Sequence, residues 1–255
     1  MSKSAEAFDS LIEVMNQLRE KCPWDAKQTI ESLRHMTIEE TYELADAIIE
    51  NNPDHIKEEL GDLIMHIVFY SHIANEKDFF DIKDVINGVV EKLIRRHPHV
   101  FGDVSVNDAE DVKKNWEEIK LSEGKKTVLG GVPKSLPAMV KSHRIQDKAR
   151  AAGFDWEKRE DVWLKVKEEV GEVEEAIAGL SDEEREKEFG DLLFSVINAA
   201  RLYNIDPEAA LEKTNQKFIR RFNYIESKAG ETGRHVSDMK LEEMDAFWNE
   251  AKSKE

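Results

Sequence analysis

Cysteine is nearly absent. Cys22 is the only one, so no disulfide can form within the chain and no cysteine-based zinc site can be built. Such scarcity fits a reducing compartment, and a cytoplasmic location is the expectation. No run approaches the roughly eighteen apolar residues that a membrane-spanning helix needs. Met1 to Glu20 is amphipathic and carries Glu6, Asp9 and Glu13, unlike a signal peptide. Basic charge is also short: 37 Lys and Arg stand against 54 Asp and Glu, a formal net charge of -17. That balance argues against a nucleic-acid polymer or an anionic membrane as the main partner. Strand-like alternation is almost missing, as are a P-loop, a Gly-x-Ser-x-Gly elbow and a Cys–His nucleophile pair.

Clustered carboxylates are abundant. Glu39-Glu40-Thr41-Tyr42-Glu43 is followed sixteen residues on by Glu59-Leu60-Gly61-Asp62. On a helix Glu40 and Glu43, Glu39 and Glu43, and Glu59 and Asp62 each share a face, so two facing helices bring four or five carboxylates together. Like charges that close repel unless a cation sits among them. An all-oxygen donor set favours a hard ion, Mg2+ or Mn2+, over zinc or copper. One such cluster could still be an ordinary solvated face.

The cluster occurs twice. Glu168-Glu169-Val170-Gly171-Glu172 and Glu188-Phe189-Gly190-Asp191 lie at a constant offset of 129 from the first set. When 36–75 is laid on 165–204, five of the ten identities are acids of the cluster, while hydrophobic positions drift among Leu, Ile, Val and Phe. A merely solvated face has no reason to keep its acids and let its core change.

Apolar residues at helical spacing predict helices over 5–20, from about 28 through the first acidic motif, after Pro53, over 81–96 and over 108–121. A second set is predicted near 137–151, 158–179, 182–203, 206–228 and 238–252. Thr29 reads as an N-cap, and Pro53 suits a first helical turn. Ile56, Leu60, Leu63, Ile64, Ile67 and Val68 read as one buried stripe. Gly61, repeated as Gly190, suggests close approach of a backbone or a ligand. His66 is replaced by Ser195 in the second copy and reads as packing or surface. Gly124, Gly130, Gly131, Pro133 and Pro137 mark a linker. The expected architecture is therefore all-α: two tandem helical-bundle repeats, 1–123 and 137–255, joined through 124–136.

Each acidic pair is followed by a basic string, Lys92-Leu93-Ile94-Arg95-Arg96 and Lys217-Phe218-Ile219-Arg220-Arg221. Lys92 with Arg96, and Lys217 with Arg221, stand four apart on one helix face and can reach a single polyanion. A Trp with a Lys four residues on closes each half, Trp116 with Lys120 and Trp248 with Lys252, and Arg234 adds a basic group in the second. Carboxylate-held metal, guanidinium forks and mobile lysines together suit a phosphate chain, with Trp available to stack on a base or to pack in the core. No His follows a Glu by three residues, which demotes a di-metal carboxylate oxidoreductase. A nucleotide-sensing module that does not turn its ligand over remains open.

These residues resemble the MazG nucleoside triphosphate pyrophosphohydrolase family in its two-domain form, over nearly the whole chain. The resemblance rests on Pro23-Trp24-Asp25, Gln28-Thr29, Ser32-Leu33, both acidic pairs, His97-Pro98-His99-Val100-Phe101-Gly102-Asp103, Leu129-Gly130-Gly131-Val132-Pro133 and Gly153-Phe154-Asp155-Trp156. Ile30 departs from it, standing where the family often has His. The resemblance implies a fold shared with all-α dimeric dUTPases and phosphoribosyl-ATP pyrophosphohydrolase. It further implies a homodimer, and Mg2+-dependent conversion of a nucleoside triphosphate to monophosphate and pyrophosphate. Carried over, the metal ligands are Glu40, Glu43, Glu59 and Asp62, then Glu169, Glu172, Glu188 and Asp191. Glu39 and Glu168 stand where a carboxylate could orient or deprotonate water. Lys92, Arg96, Lys217, Arg221 and Lys252 would contact phosphate, with Arg95 and Arg220 beside them.

Overall fold

The computed structural model describes residues 2–123 and 127–255; Gly124, at the start of the expected linker, lies outside them. Among the described residues there are eleven α-helices, three short 3-10 turns and no strand, so the all-α architecture holds. By their contacts the residues fall into two compact units, Met1–Val112 and Lys113–Glu255. No helix among the described residues is long and apolar enough to cross a membrane.

The first unit contains α1 (Lys3–Lys21), α2 (Ile30–Ile49), α3 (Pro53–Asn75), α4 (Ile82–Arg96) and the single turn α5 (Pro98–Phe101). Local chemistry fixes where the acidic helices begin. Thr29 Oγ1 accepts the Ser32 N–H while Ser32 Oγ accepts the Thr29 N–H, a reciprocal cap that starts α2. Pro53 occupies the first turn of α3, and Asn52 caps it. With both starts pinned, the register of Glu40, Glu43, Glu59 and Asp62 on the α2–α3 hairpin follows.

The core of this unit is Met15, Leu33, Val68, Phe69 and Ile73, with Ile30 and Met36 packed against it. Ile30 is thus a packing residue at the position where it departs from the family pattern. Beneath α2 lies a polar insert: His66 is buried, its Nδ1 is 2.9 Å from Thr37 Oγ1, and that oxygen is 2.7 Å from the Tyr70 hydroxyl. Burial depresses the His66 pKa, which keeps the ring neutral in this contact. The Pro23-Trp24-Asp25 turn is tied down by Arg19, whose guanidinium donates to the Asp25 and Gln28 carbonyls and pairs with Glu76.

α6 (Ala109–Ser122) straddles the boundary between the units. The second unit continues with α7 (Ala138–Ala151), α8 (Val162–Gly179), α9 (Asp182–Leu202), α10 (Pro207–Glu231) and α11 (Leu241–Lys252). α8 and α9 form the hairpin equivalent to α2 and α3, packed around Val162, Val166 and Ala199. A separate cluster of Ile225, Ala229 and Met239, flanked by Phe222, Phe247 and Trp248, joins α10 to α11. The Gly153-Phe154-Asp155-Trp156 motif ends α7. Gly153 adopts φ 88°, the Phe154 N–H returns to the Ala149 carbonyl, and Asp155 receives the buried Arg201 of α9 at 2.5 Å.

One expectation fails. Leu60, Ile64 and Ile67 are each more than 40% exposed; Val68 of the expected stripe is buried, alongside His66, Phe69, Ser71, Ile73 and Ala74. Periodicity marks both apolar faces of α3 and does not tell which one packs inside the chain. The counterparts Phe189, Leu193 and Val196 on α9 are exposed as well.

Leu33 is 1% exposed and central to the first core. Leu33→Ala should therefore cost about 2–5 kcal/mol. Chemical denaturation that leaves the first unit's transition in place would contradict this packing.

Candidate metal centre and basic flank

In the first unit the structure brings Glu40, Glu43 and Glu59 together: one carboxylate oxygen of each lies within 4.8 Å of the others. Glu169, Glu172 and Glu188 form the same arrangement in the second unit. Asp62 and Asp191 fall outside these trios. Asp62 still acts on its trio, since its charge helps to raise the pKa values of Glu40 and Glu59. Glu39 and Glu168 are exposed on the same helices, one residue before the trio members Glu40 and Glu169.

The electrostatics are those of crowded carboxylates. Burial, then the neighbouring acids Asp62, Glu43 and Glu59, pushes the Glu40 pKa up. Burial followed by Glu43 and Asp62 does the same to Glu59, although the hydrogen bond shared with Glu40 works against it. In the second unit a hydrogen bond with Glu169 and then burial raise Glu172. A shared proton is one way to hold two such groups in contact, and a divalent ion is another. Glu59 Oε2 and Glu169 Oε2 are buried without a hydrogen-bond partner, one orphaned oxygen in each trio. A cluster of acceptor-only oxygens with one such orphaned atom among its residues fits a hard divalent cation.

Gly61 and Gly190 sit beside the trios. A Cβ added at either would meet nothing within 4 Å, so the expected close approach of another backbone does not occur there. His66 is a core residue hydrogen-bonded to Thr37, not a further ligand.

Two lysines that the sequence reading missed separate the halves. Lys165 Nζ lies 2.5 Å from Glu169 and 2.9 Å from Glu168, and both carboxylates drive its pKa upward. Lys187 Nζ is 3.0 Å from Glu188 and 3.8 Å from Asp191. At the equivalent positions of the first unit stand Met36 and Glu58. Helical spacing carried the signal, since Lys165 precedes Glu169 by four residues; comparing only what the copies share concealed it.

Lys92, Arg95 and Arg96 lie in the last turns of α4, and Lys217, Arg220 and Arg221 in the middle of α10. Lys120 Nζ stands 5.3 Å over the Trp116 ring, and Arg221 covers the Trp248 ring at 5.3 Å. Trp248 also packs against the Ile225, Ala229 and Met239 cluster, so it serves the core and offers one face to the basic flank. Lys252 is exposed at the end of α11. Arg234 is spent on Glu243 and on the Asp238 carbonyl, which removes it from the set of groups available to an anion.

With this geometry in view, the family model described as "MazG nucleotide pyrophosphohydrolase domain" matches residues 28–101 and again 158–225, which include both hairpins and both basic strings. This chain belongs to the MazG family. It is 44% identical to the nucleoside triphosphate pyrophosphohydrolase/pyrophosphatase MazG of Thermotoga maritima, covering 99% of this chain and 98% of that one. It is 40% identical to the nucleoside triphosphate pyrophosphohydrolase of Escherichia coli K12, with 97% and 98% covered. The uncharacterized protein YabN of Bacillus subtilis is 48% identical, with 97% of this MazG chain but only 52% of that longer protein aligned.

The raised pKa values of Glu40 and Glu59 fix a sign. A carboxyl whose folded pKa lies above its unfolded value of 4.5 binds its proton more tightly when folded. Its contribution to stability is present at low pH and fades as pH rises through the folded pKa. In EDTA, Glu59→Gln should therefore raise the melting temperature at about pH 7.5, with the gain shrinking toward about pH 4.5. A melting temperature lowered at both values would show that the carboxylates do not repel one another.

Proposed function

We propose that the chain hydrolyses nucleoside triphosphates, or their deoxy forms, to nucleoside monophosphates and pyrophosphate, using Mg2+ with Mn2+ as a substitute. The observation that carries this is the pair of carboxylate trios, each closed to within 4.8 Å and each including a residue with an orphaned oxygen, in a chain of the MazG family. Glu40, Glu43, Glu59 and Asp62, and separately Glu169, Glu172, Glu188 and Asp191, would hold the ion. When bound, it supplies neutralisation of phosphate oxygens and polarisation of water.

The side chains do the rest. Glu39 or Glu168 orients the attacking water and accepts its proton as oxygen bonds to the α-phosphorus and the bridge to the β-phosphate breaks. Lys92, Arg95 and Arg96, or Lys217, Arg220 and Arg221, stabilise charge growing on the departing pyrophosphate. Trp116, with Lys120 over its ring, and Trp248, with Arg221 over its ring, are proposed to meet the base end of the substrate together with Lys252. Attack at the α-phosphorus rests on family membership. A role in controlling nucleotide pools, in the cytoplasm, accords with that chemistry.

We also assign more of the turnover to the second half. Its basic side is organised, with Arg221 packed on Trp248, and Lys165 and Lys187 hold its acids in place before any ion arrives. A homodimer accounts for the exposed apolar face that both hairpins repeat, Leu60, Ile64 and Ile67 on α3 and Phe189, Leu193 and Val196 on α9. A stable monomer of 29.4 kDa at micromolar concentration would contradict it.

Product analysis across the common triphosphates is the test. Equal amounts of monophosphate and pyrophosphate are expected, abolished by EDTA and restored by Mg2+ or Mn2+. Diphosphate with orthophosphate, or tight binding without product as in a sensing module, would overturn the proposal. Glu172→Gln should cost about a hundredfold in kcat. Glu43→Gln should cost less, and the reverse order in folded dimers would reassign the active half.

A further inference from the structure

Arg221 already has an anion. Its side chain is only 12% exposed, and its Nη2 donates to Glu255 Oε2 at 2.6 Å. The other carboxylate oxygen, Oε1, lies 3.9 Å from Arg220. These groups line one side of a cavity of about 160 Å³ whose remaining walls are Tyr224, Ala251 and Lys254. Lys254 is committed within the wall: it donates to Tyr224 and to Glu250, and the Tyr224 hydroxyl donates to Glu250 at 2.7 Å. The cations left facing the cavity are the two arginines, and Glu255 serves them both.

Two features separate this contact from a permanent staple. The Nε of Arg221 is buried and has no acceptor, so Glu255 satisfies only part of the guanidinium. A carboxylate offers two oxygens, whereas a phosphoryl group offers three and can complete the donor set. Release of Glu255 is also easy. It lies beyond the end of α11 in an exposed stretch with Ser253 and Lys254, and its own side chain is 35% exposed. Arg221 would stay in place without it, since the Trp248 ring holds the guanidinium from another side.

We propose that Glu255 is an intramolecular stand-in for a substrate phosphoryl group, bound to Arg221 in the free enzyme and displaced by the polyphosphate chain of a nucleotide or by pyrophosphate. This rests on the assignment of Arg221 to phosphate made above. Glu255 then competes with every anion that enters. It raises the apparent KM and weakens product inhibition, and it protects the arginines from adventitious anions at no cost to kcat.

The test compares Glu255→Gln with wild type in the full chain with Mg2+, using ATP as substrate and inorganic pyrophosphate as inhibitor. Both the KM for ATP and the inhibition constant of pyrophosphate should fall about fivefold, the size of one half-exposed ion pair, with kcat kept within about twofold. The difference should disappear at about 0.5 M salt, which screens the pair in wild type. Unchanged or raised constants in a variant that melts like wild type would make Glu255 a structural contact and end the proposal. Arg221→Gln separates the two levels. If it raises both constants while Glu255→Gln does nothing, only the stand-in fails; if it leaves both unchanged, the phosphate role of Arg221 fails with it.

Discussion

Three carboxylates with oxygens inside 4.8 Å repel one another, and both helical hairpins impose that arrangement. Much else follows from this constraint. The reciprocal cap at Thr29 and Ser32 sets the register of α2, and a reciprocal cap at Ser181 and Glu184, where the first copy has Asn52, sets that of α9, so these helix starts hold the acids in place. The hairpins are packed from behind by apolar cores that have diverged freely between the halves. What the two copies retain in common is the demand for a cation.

The copies meet that demand differently. In the first unit a raised Glu40 and a raised Glu59 share a hydrogen bond over a neutral, buried His66–Thr37–Tyr70 contact. In the second, Lys165 and Lys187 reach into the acids from the same helices, and the positions of Thr37, His66 and Tyr70 are taken by Val166, Ser195 and Ala199. The second trio has lysines paired with its acids, and the first has none at the same positions. The same fold thereby surrounds the two trios with different charges.

Most of the helical skeleton was legible in the sequence, because 3.6-residue periodicity, Thr29, Pro53 and the Gly153 turn are local signals. The acidic trios were legible too, since i, i+3 and i, i+4 spacing places Glu40 with Glu43 and Glu169 with Glu172 before any tertiary contact is known. The exposed face of α3 was not, because periodicity cannot tell an apolar face that packs within the chain from one left open. Nor was the coupling of Arg221 to Glu255, thirty-four positions away, or of Thr37 to His66. Lys165 and Lys187 were visible in principle. They belong to what the two repeats do not share, and the acids that coincide draw attention away from them.

We propose that each trio holds a divalent ion through these named carboxylates. Mn2+ titration of the intact chain, followed by electron paramagnetic resonance, tests it most directly because it needs no substrate and no turnover. Saturable binding at both clusters is expected. Glu43→Gln combined with Glu59→Gln should remove one class of bound ion, and Glu172→Gln combined with Glu188→Gln the other. Stoichiometry left unchanged by both pairs of substitutions, in protein that stays folded, would contradict the account.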